Sequence, residues 1–143
     1  MPTLVRWYLK TAIAFLAIGL ILGAVMIVRR ELGDAYPSSY LISAHTHALL
    51  VGFMLMMIFG VALWMFPRPA GGDRLALPPA ATVAYVLLAG GTLARFAGEI
   101  ARTWSDAPAL RWIVAVAGVL QVFGALFVFV ALWPRIRPSG ARA

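Results

Sequence analysis

The chain has 143 residues, 63% of them hydrophobic and only 12% charged, where a water-soluble domain carries roughly half and a quarter. A soluble fold of this length cannot hide so much apolar surface, so the composition points to the lipid bilayer as solvent. No cysteine is present, which excludes disulfides, thiolate zinc sites, CxxCH haem attachment and cysteine nucleophiles. The net charge of +7 comes from arginines gathered at the ends of apolar runs, the pattern of a membrane protein and not of a nucleic-acid binder.

Four apolar segments follow one another, each near the roughly 20 residues that a spanning helix needs. The first, from about Tyr8 to Val28, stops at Arg29-Arg30-Glu31. It is long for the apolar core of a signal peptide and lacks a small-residue cleavage site, so it is expected to stay as a helix. The second runs from about Tyr40 to Phe66 and stops at Pro67-Arg68-Pro69. The third, from about Ala80 to Ala101, follows the Pro78-Pro79 pair, and the fourth, from about Leu110 to Trp133, closes on Pro134-Arg135. The connections ELGDAYPSS, RPAGGDRLALPP and RTWSDAP carry the Gly, Pro, Ser and Asp that break helices. Trp7, Tyr8, Trp64, Trp104, Trp112 and Trp133 fall near segment ends, as an interfacial aromatic belt does. The expected fold is all-α, a polytopic four-helix transmembrane bundle forming a single domain over residues 1–143.

Basic residues set the expected orientation. Arg6, Lys10, Arg68, Arg74, Arg135, Arg137 and Arg142 lie at one end, and Arg29, Arg30, Arg102 and Arg111 at the other, with Glu31, Asp34 and Asp106. The excess of positive charge puts both termini in the cytoplasm. Val61-Ala62-Leu63-Trp64 before a Pro-Arg recurs as Val130-Ala131-Leu132-Trp133. Shared membrane-exit chemistry at two cytoplasmic ends accounts for that echo better than a duplicated hairpin.

The second segment opens with the only two histidines, in SAHTHALLVGFMLMMIFG. At about 1.5 Å per residue from Tyr40, His45 and His47 sit roughly 8–10 Å below the outer interface. The third helix runs the opposite way and brings Arg95 and Glu99, one turn apart, to the same depth. Ionisable groups inside a span are costly and face an interior or cavity, so this slab is the candidate functional site. Residues two apart on a helix point about 200° from each other, so His45 and His47 are not expected to chelate one ion together while the helix stays regular. One is expected to face a cofactor and the other a neighbouring helix, a second subunit or the interface. A helical wheel groups His45 with Ala48, Gly52, Met56 and Phe59 or Gly60, small residues that leave a groove for a flat group. The alternative is that Gly52 and Gly60 simply permit close helix packing.

Haem suits such a site: its edge is apolar, its iron takes an axial imidazole, and its propionates seek cations near the interface. Arg95, with Arg102 or Arg111 as alternates, is the candidate cation, against an i,i+4 pair of Arg95 with Glu99. A copper or zinc ion held at an oligomer interface by His45, His47 and Glu99 is a second possibility, which Met54, Met56 or Met57 would bias towards monovalent copper. A structural or assembly subunit without a cofactor is the third. Gln121, midway along the fourth helix, is expected to donate an interhelical hydrogen bond.

AHTHALLVGFMLMMIFGVALWMFPR resembles the second transmembrane helix of subunit I of the haem–copper oxidase superfamily, which includes nitric oxide reductases and cytochrome-c oxidases. The shared features are a His near the outer end, a Met/Phe-rich run, a Gly about fifteen residues on, then an aromatic residue and a Pro at the cytoplasmic exit. The resemblance implies an axial ligand of low-spin haem at this His. Counting back from Gly60 and Pro67 matches it to His45, while the reductase-like spacing matches it to His47. It further implies haem b, a bacterial inner membrane and a respiratory-chain partner for electron transfer or diatomic-gas binding. The family's further ligands lie on later helices of a twelve-helix subunit, and no histidine follows His47 here. One copy is therefore not expected to form a haem–copper centre or to act alone as an oxidase or reductase. A homotrimer would match the family's three four-helix arcs and bring a second axial ligand from a neighbour.

Overall fold

The computed structural model describes residues 1–33, 35–67 and 77–136. Asp34, Arg68, Arg74, Arg137 and Arg142, which entered the charge count, lie outside the described residues. Four helices are long and apolar enough to cross a membrane: α1 (Thr3–Gly33), α2 (Ser39–Met65), α3 (Pro79–Ala101) and α4 (Pro108–Leu132). Among the described residues there is no strand. α1 extends about five residues past its apolar segment at each end. Hydropathy marks the length immersed in lipid, whereas the hydrogen-bond ladder continues into the interface, where Arg6, Arg29 and Arg30 remain helical.

Helix ends follow local chemistry. The Ser38 hydroxyl caps α2 by accepting from the Leu41 amide at 3.3 Å, as Ser does at an N-cap. Pro79 and Pro108 occupy the first turns of α3 and α4, where the missing amide hydrogen costs nothing. α2 stops at Phe66, whose backbone is extended as the residue before a proline prefers. Within α2 the ladder changes: Ser39–His47 is α-helical, Ala48–Leu55 is a π-helix, and Met56–Met65 is α-helical again. The Met56 amide accordingly reaches the Val51 carbonyl, five residues back. Just before the wide turns, Thr46 and His47 return side-chain bonds to the Ile42 and Ser43 carbonyls, a competition that loosens the main-chain ladder.

The helices pack in chain order, α1 on α2, α2 on α3 and α3 on α4, with the last pair in longest contact. The core is the seam of Tyr8, Ala12, Met56, Phe59, Leu63, Ala84, Leu88 and Val128. The tryptophans stay exposed near the helix ends, as an interfacial belt requires. Tyr8 does not belong to that belt. It is fully buried, donates to the Ala81 carbonyl at 3.0 Å and meets the Tyr85 ring edge-on.

The start of α1, the end of α2, the start of α3 and the end of α4 share one end of the bundle. There the Arg135 guanidinium donates to the carbonyls of Leu63, Phe66 and Pro67, completing the C-terminus of α2 with a cation from beyond α4. Leu63 and Leu132, one from each of the echoed segments, are both buried. The α1–α2 and α3–α4 turns lie together at the opposite end, where Arg29, Tyr36, Thr103 and Trp104 line one cavity.

Candidate functional site

His45 turns towards α1. Its Nδ1 lies 3.0 Å from the Gly19 carbonyl oxygen. A carbonyl can only accept, so Nδ1 carries the hydrogen, and in the neutral ring Nε2 keeps its lone pair. That lone pair has no hydrogen-bond partner among the described residues. Gly23 makes the space for the ring: a Cβ there would stand 2.7 Å from His45 Cε1. Two glycines one turn apart in α1 thus supply the carbonyl and the clearance.

His47 turns the other way, as the wheel requires. Its Nδ1–H donates to the Ser43 carbonyl at 2.8 Å and lies 4.0 Å from Glu99 Oε2. From there a chain of polar side chains crosses the bundle. Ser43 Oγ donates to Glu99 Oε1 at 2.7 Å, and Arg95 Nε donates to the same oxygen at 3.0 Å. Arg95 also donates to Gln121 Oε1 at 3.3 Å, and Gln121 donates to Thr92 Oγ1 at 3.0 Å. Thr92, Glu99 and Gln121 are all buried. In an apolar surround such bonds hold α2, α3 and α4 in register. Glu99 Oε2 is buried without a hydrogen-bond partner among the described residues.

The structure therefore brings His47, Glu99, Arg95 and Gln121 into one network and sends His45 out of it. Gly52, Met56 and Gly60 lie on the α1 flank. A Cβ on Gly52 would stand 2.5 Å from Phe15 and one on Gly60 2.9 Å from Tyr8, while Met56 is fully buried. Side chains of α1 occupy the groove that the wheel left open. Among the alternate cations, Arg102 is held by the Tyr40 hydroxyl at 2.6 Å and lies over its ring, and Arg111 is exposed. Among the described residues no group of three or more His, Cys, Asp or Glu is placed to hold a metal ion. Met54 is exposed on the outer surface of α2. Thr92 and the Gly19–Gly23 pair carried no signal in the sequence, since a threonine or a glycine within an apolar span is ordinary until its neighbours are known.

Four membrane-crossing helices with an imidazole pair near one end define a small integral membrane protein with a buried polar site. The chain matches the family described as cytochrome C and quinol oxidase polypeptide I over residues 3–142, and it belongs to that family. No curated protein and no solved structure matches it. The relation to subunit I of the haem–copper oxidases, drawn above from the second helix alone, extends over nearly the whole chain.

Proposed function

We propose that this protein binds haem b through Nε2 of His45 and serves in electron transfer or in binding a diatomic gas. The observation that carries the proposal is the Nδ1–H bond to the Gly19 carbonyl, which fixes the ring from a neighbouring helix where His47 bonds only its own. Imidazoles that ligate metals usually donate their second ring hydrogen to a carbonyl or carboxylate, which fixes the tautomer and raises ligand basicity. Membership of a haem-binding family supports the same assignment. A haem held there would supply one-electron exchange or the binding of a diatomic gas.

The chain's own residues then divide the work. Gly19 orients the ring, Gly23 clears space for it, and the apolar walls of α1 and α2 exclude water. Gly52, Met56 and Gly60 seat α1. His47, Glu99, Arg95 and Gln121 hold α2 against α3 and α4. A further ligand for the haem would come from a second copy, from a methionine or from water, and a homo-oligomer such as a trimer suits the open arc of four helices. Lipid is the surrounding partner, a respiratory-chain protein the electron partner, and both termini lie on the cytoplasmic side of a bacterial inner membrane. The unpartnered Glu99 Oε2 near His47 favours one further reading, a copper or zinc ion shared between copies.

An optical spectrum of protein produced with ample haem tests the proposal. The wild type and His47→Ala are expected to show a Soret band and His45→Ala to lack it. Absence of the band from the wild type, with metal analysis positive for copper or zinc, would replace haem with the ion.

A further inference from the structure

A cavity of about 210 Å³ opens at the end of the bundle that holds the α1–α2 and α3–α4 turns. Its walls come from the end of α1, the start of α2 and the residues just past α3. Polar and apolar groups are layered in it. Arg29, Ser38 and Thr103 line it, and so do Met26 and Leu41. Met26 lies one turn before Arg29 on the outward-running α1, and Leu41 one turn after Ser38 on the inward-running α2. Each apolar side chain is therefore one turn nearer mid-membrane than its polar neighbour. Trp104, which also lines the space, is 78% exposed, as an aromatic ring at the headgroup level is. The cavity repeats the layering of the membrane interface. It is not lined by His45, so it is separate from the proposed haem ligand and does not depend on it.

Bonds already made fix the hydrogen-bonding roles of the lining groups. The Ser38 oxygen accepts from the Leu41 amide, which leaves its O–H free to donate. Thr103 does the reverse: its O–H donates to the Ile100 carbonyl at 2.7 Å, which leaves lone pairs on Oγ1 free to accept. Ser38 is also the N-cap of α2, so the positive end of that helix dipole opens on the same space. The cations at this end differ in commitment. Arg30 pairs with Glu31 at 2.6 Å, and Arg102 is held by Tyr40 and faces Asp106 at 3.7 Å. Of these only Arg29 lines the cavity, and its guanidinium has no hydrogen-bond or ion-pair partner among the described residues.

We propose that this cavity binds the headgroup of an anionic phospholipid, with Arg29 and Ser38 donating to its phosphate. The cavity presents a positive charge, donors for an anion and an acceptor for an alcohol. A phosphatidylglycerol headgroup carries the complement: one net negative charge on a phosphodiester, and beyond it a diol whose hydroxyl can donate to Thr103 Oγ1. The planar guanidinium suits phosphate because two of its N–H bonds meet two oxygens at once. Met26 and Leu41 favour a lipid over a free phosphate, since a strongly hydrated anion gains nothing from an apolar layer beneath it. A headgroup fits the volume and leaves the acyl chains in the bilayer. It touches α1, α2 and the end of α3 together, and so braces this end of the bundle.

The test is lipid binding to the purified, delipidated protein in non-ionic detergent, counted by native mass spectrometry. The wild type should bind dioleoylphosphatidylglycerol roughly tenfold more tightly than dioleoylphosphatidylcholine, which shares the phosphate but is zwitterionic. Arg29→Gln should bind the two lipids alike, at the affinity the wild type shows for phosphatidylcholine, and Arg29→Lys should recover part of the difference. Arg30→Gln, which removes an equal charge one residue away, should behave as wild type. Phosphatidylglycerol should raise the melting temperature of the wild type and of Arg30→Gln but not that of Arg29→Gln. Without lipid, Arg29→Gln should melt with the wild type, which separates a lost contact from a lost fold; Arg29→Lys carries the comparison where the glutamine variant does not fold. A preference for phosphatidylglycerol that survives in Arg29→Gln, or is absent from the wild type, overturns the site. Displacement of the lipid by equimolar inorganic phosphate overturns the lipid as occupant and gives the cavity to a free anion.

Discussion

On the flank of α2 that faces α1, His45 meets a backbone carbonyl of another helix and a pair of glycines, whereas on the flank that faces α3, His47 bonds the Ser43 carbonyl of its own helix beside side-chain bonds that run from Ser43 as far as α4. The two rings are two residues apart in sequence and begin from equal chemistry. What differs is the neighbour. Each ring gives its Nδ1–H to a main-chain carbonyl and has no hydrogen bond at Nε2 among the described residues, but only His45 is fixed by a carbonyl of a neighbouring helix. Carboxylate, guanidinium and amide side chains bond to one another, so the α3 flank spends its polar groups on holding helices together. A dry environment magnifies both outcomes, because an unmet polar group there has no water to turn to.

Substitutions on each flank should therefore separate ligand binding from stability. The largest stability effect is expected on the α3 flank: Glu99→Ala leaves Arg95 without its buried partner and should cost about 3 kcal/mol of unfolding free energy. Unfolding titrations in mixed micelles would measure it, and the Soret band should persist in the folded fraction. On the α1 flank, Gly23→Val places a branched side chain where a Cβ already meets His45 Cε1 at 2.7 Å. Displacing the ring from Gly19 should weaken haem binding by about tenfold to a hundredfold, read by haem titration, while the midpoint of unfolding without haem moves less than for Glu99→Ala. If Gly23→Val binds haem as the wild type does, the contrast between flanks fails.

Smaller effects sharpen the picture. Gln121→Leu removes the link between Arg95 and Thr92 and should destabilise by about 1 kcal/mol, with no change in haem affinity. Tyr8→Phe deletes the hydroxyl bonded to the Ala81 carbonyl and should also cost about 1 kcal/mol. Its double mutant with Gln121→Leu should be additive, because the two sites share no partner.

Much of this arrangement was legible in the sequence. Hydropathy located four spans, turns rich in Pro, Gly and Ser separated them, and the rise per residue placed Arg95 and Glu99 at the depth of the histidines, where Glu99 and His47 meet. The opposed directions of His45 and His47 followed from helix geometry alone. What a wheel cannot show is which helix stands opposite each face. The small residues Gly52 and Gly60 looked like a recess for a flat group, but Phe15 and Tyr8 of α1 fill it. Tyr8 looked interfacial because it sits near the start of an apolar run, yet its hydroxyl finds a carbonyl in α3. Arg29 was counted only as a charge that fixes orientation, since a basic residue at the end of a span has that role whether or not a cavity opens beside it.

The π-helical stretch of α2 adds a consequence of its own. Were the same eight residues from Ala48 to Leu55 wound as a regular α-helix, each would advance further than in the wider turn, and everything above would swing by roughly 100° around the axis. His45 would then leave the glycines of α1 and His47 would leave Glu99, although no amino acid in either shell had changed. How this stretch is wound, more than the identity of its residues, decides what each imidazole sees.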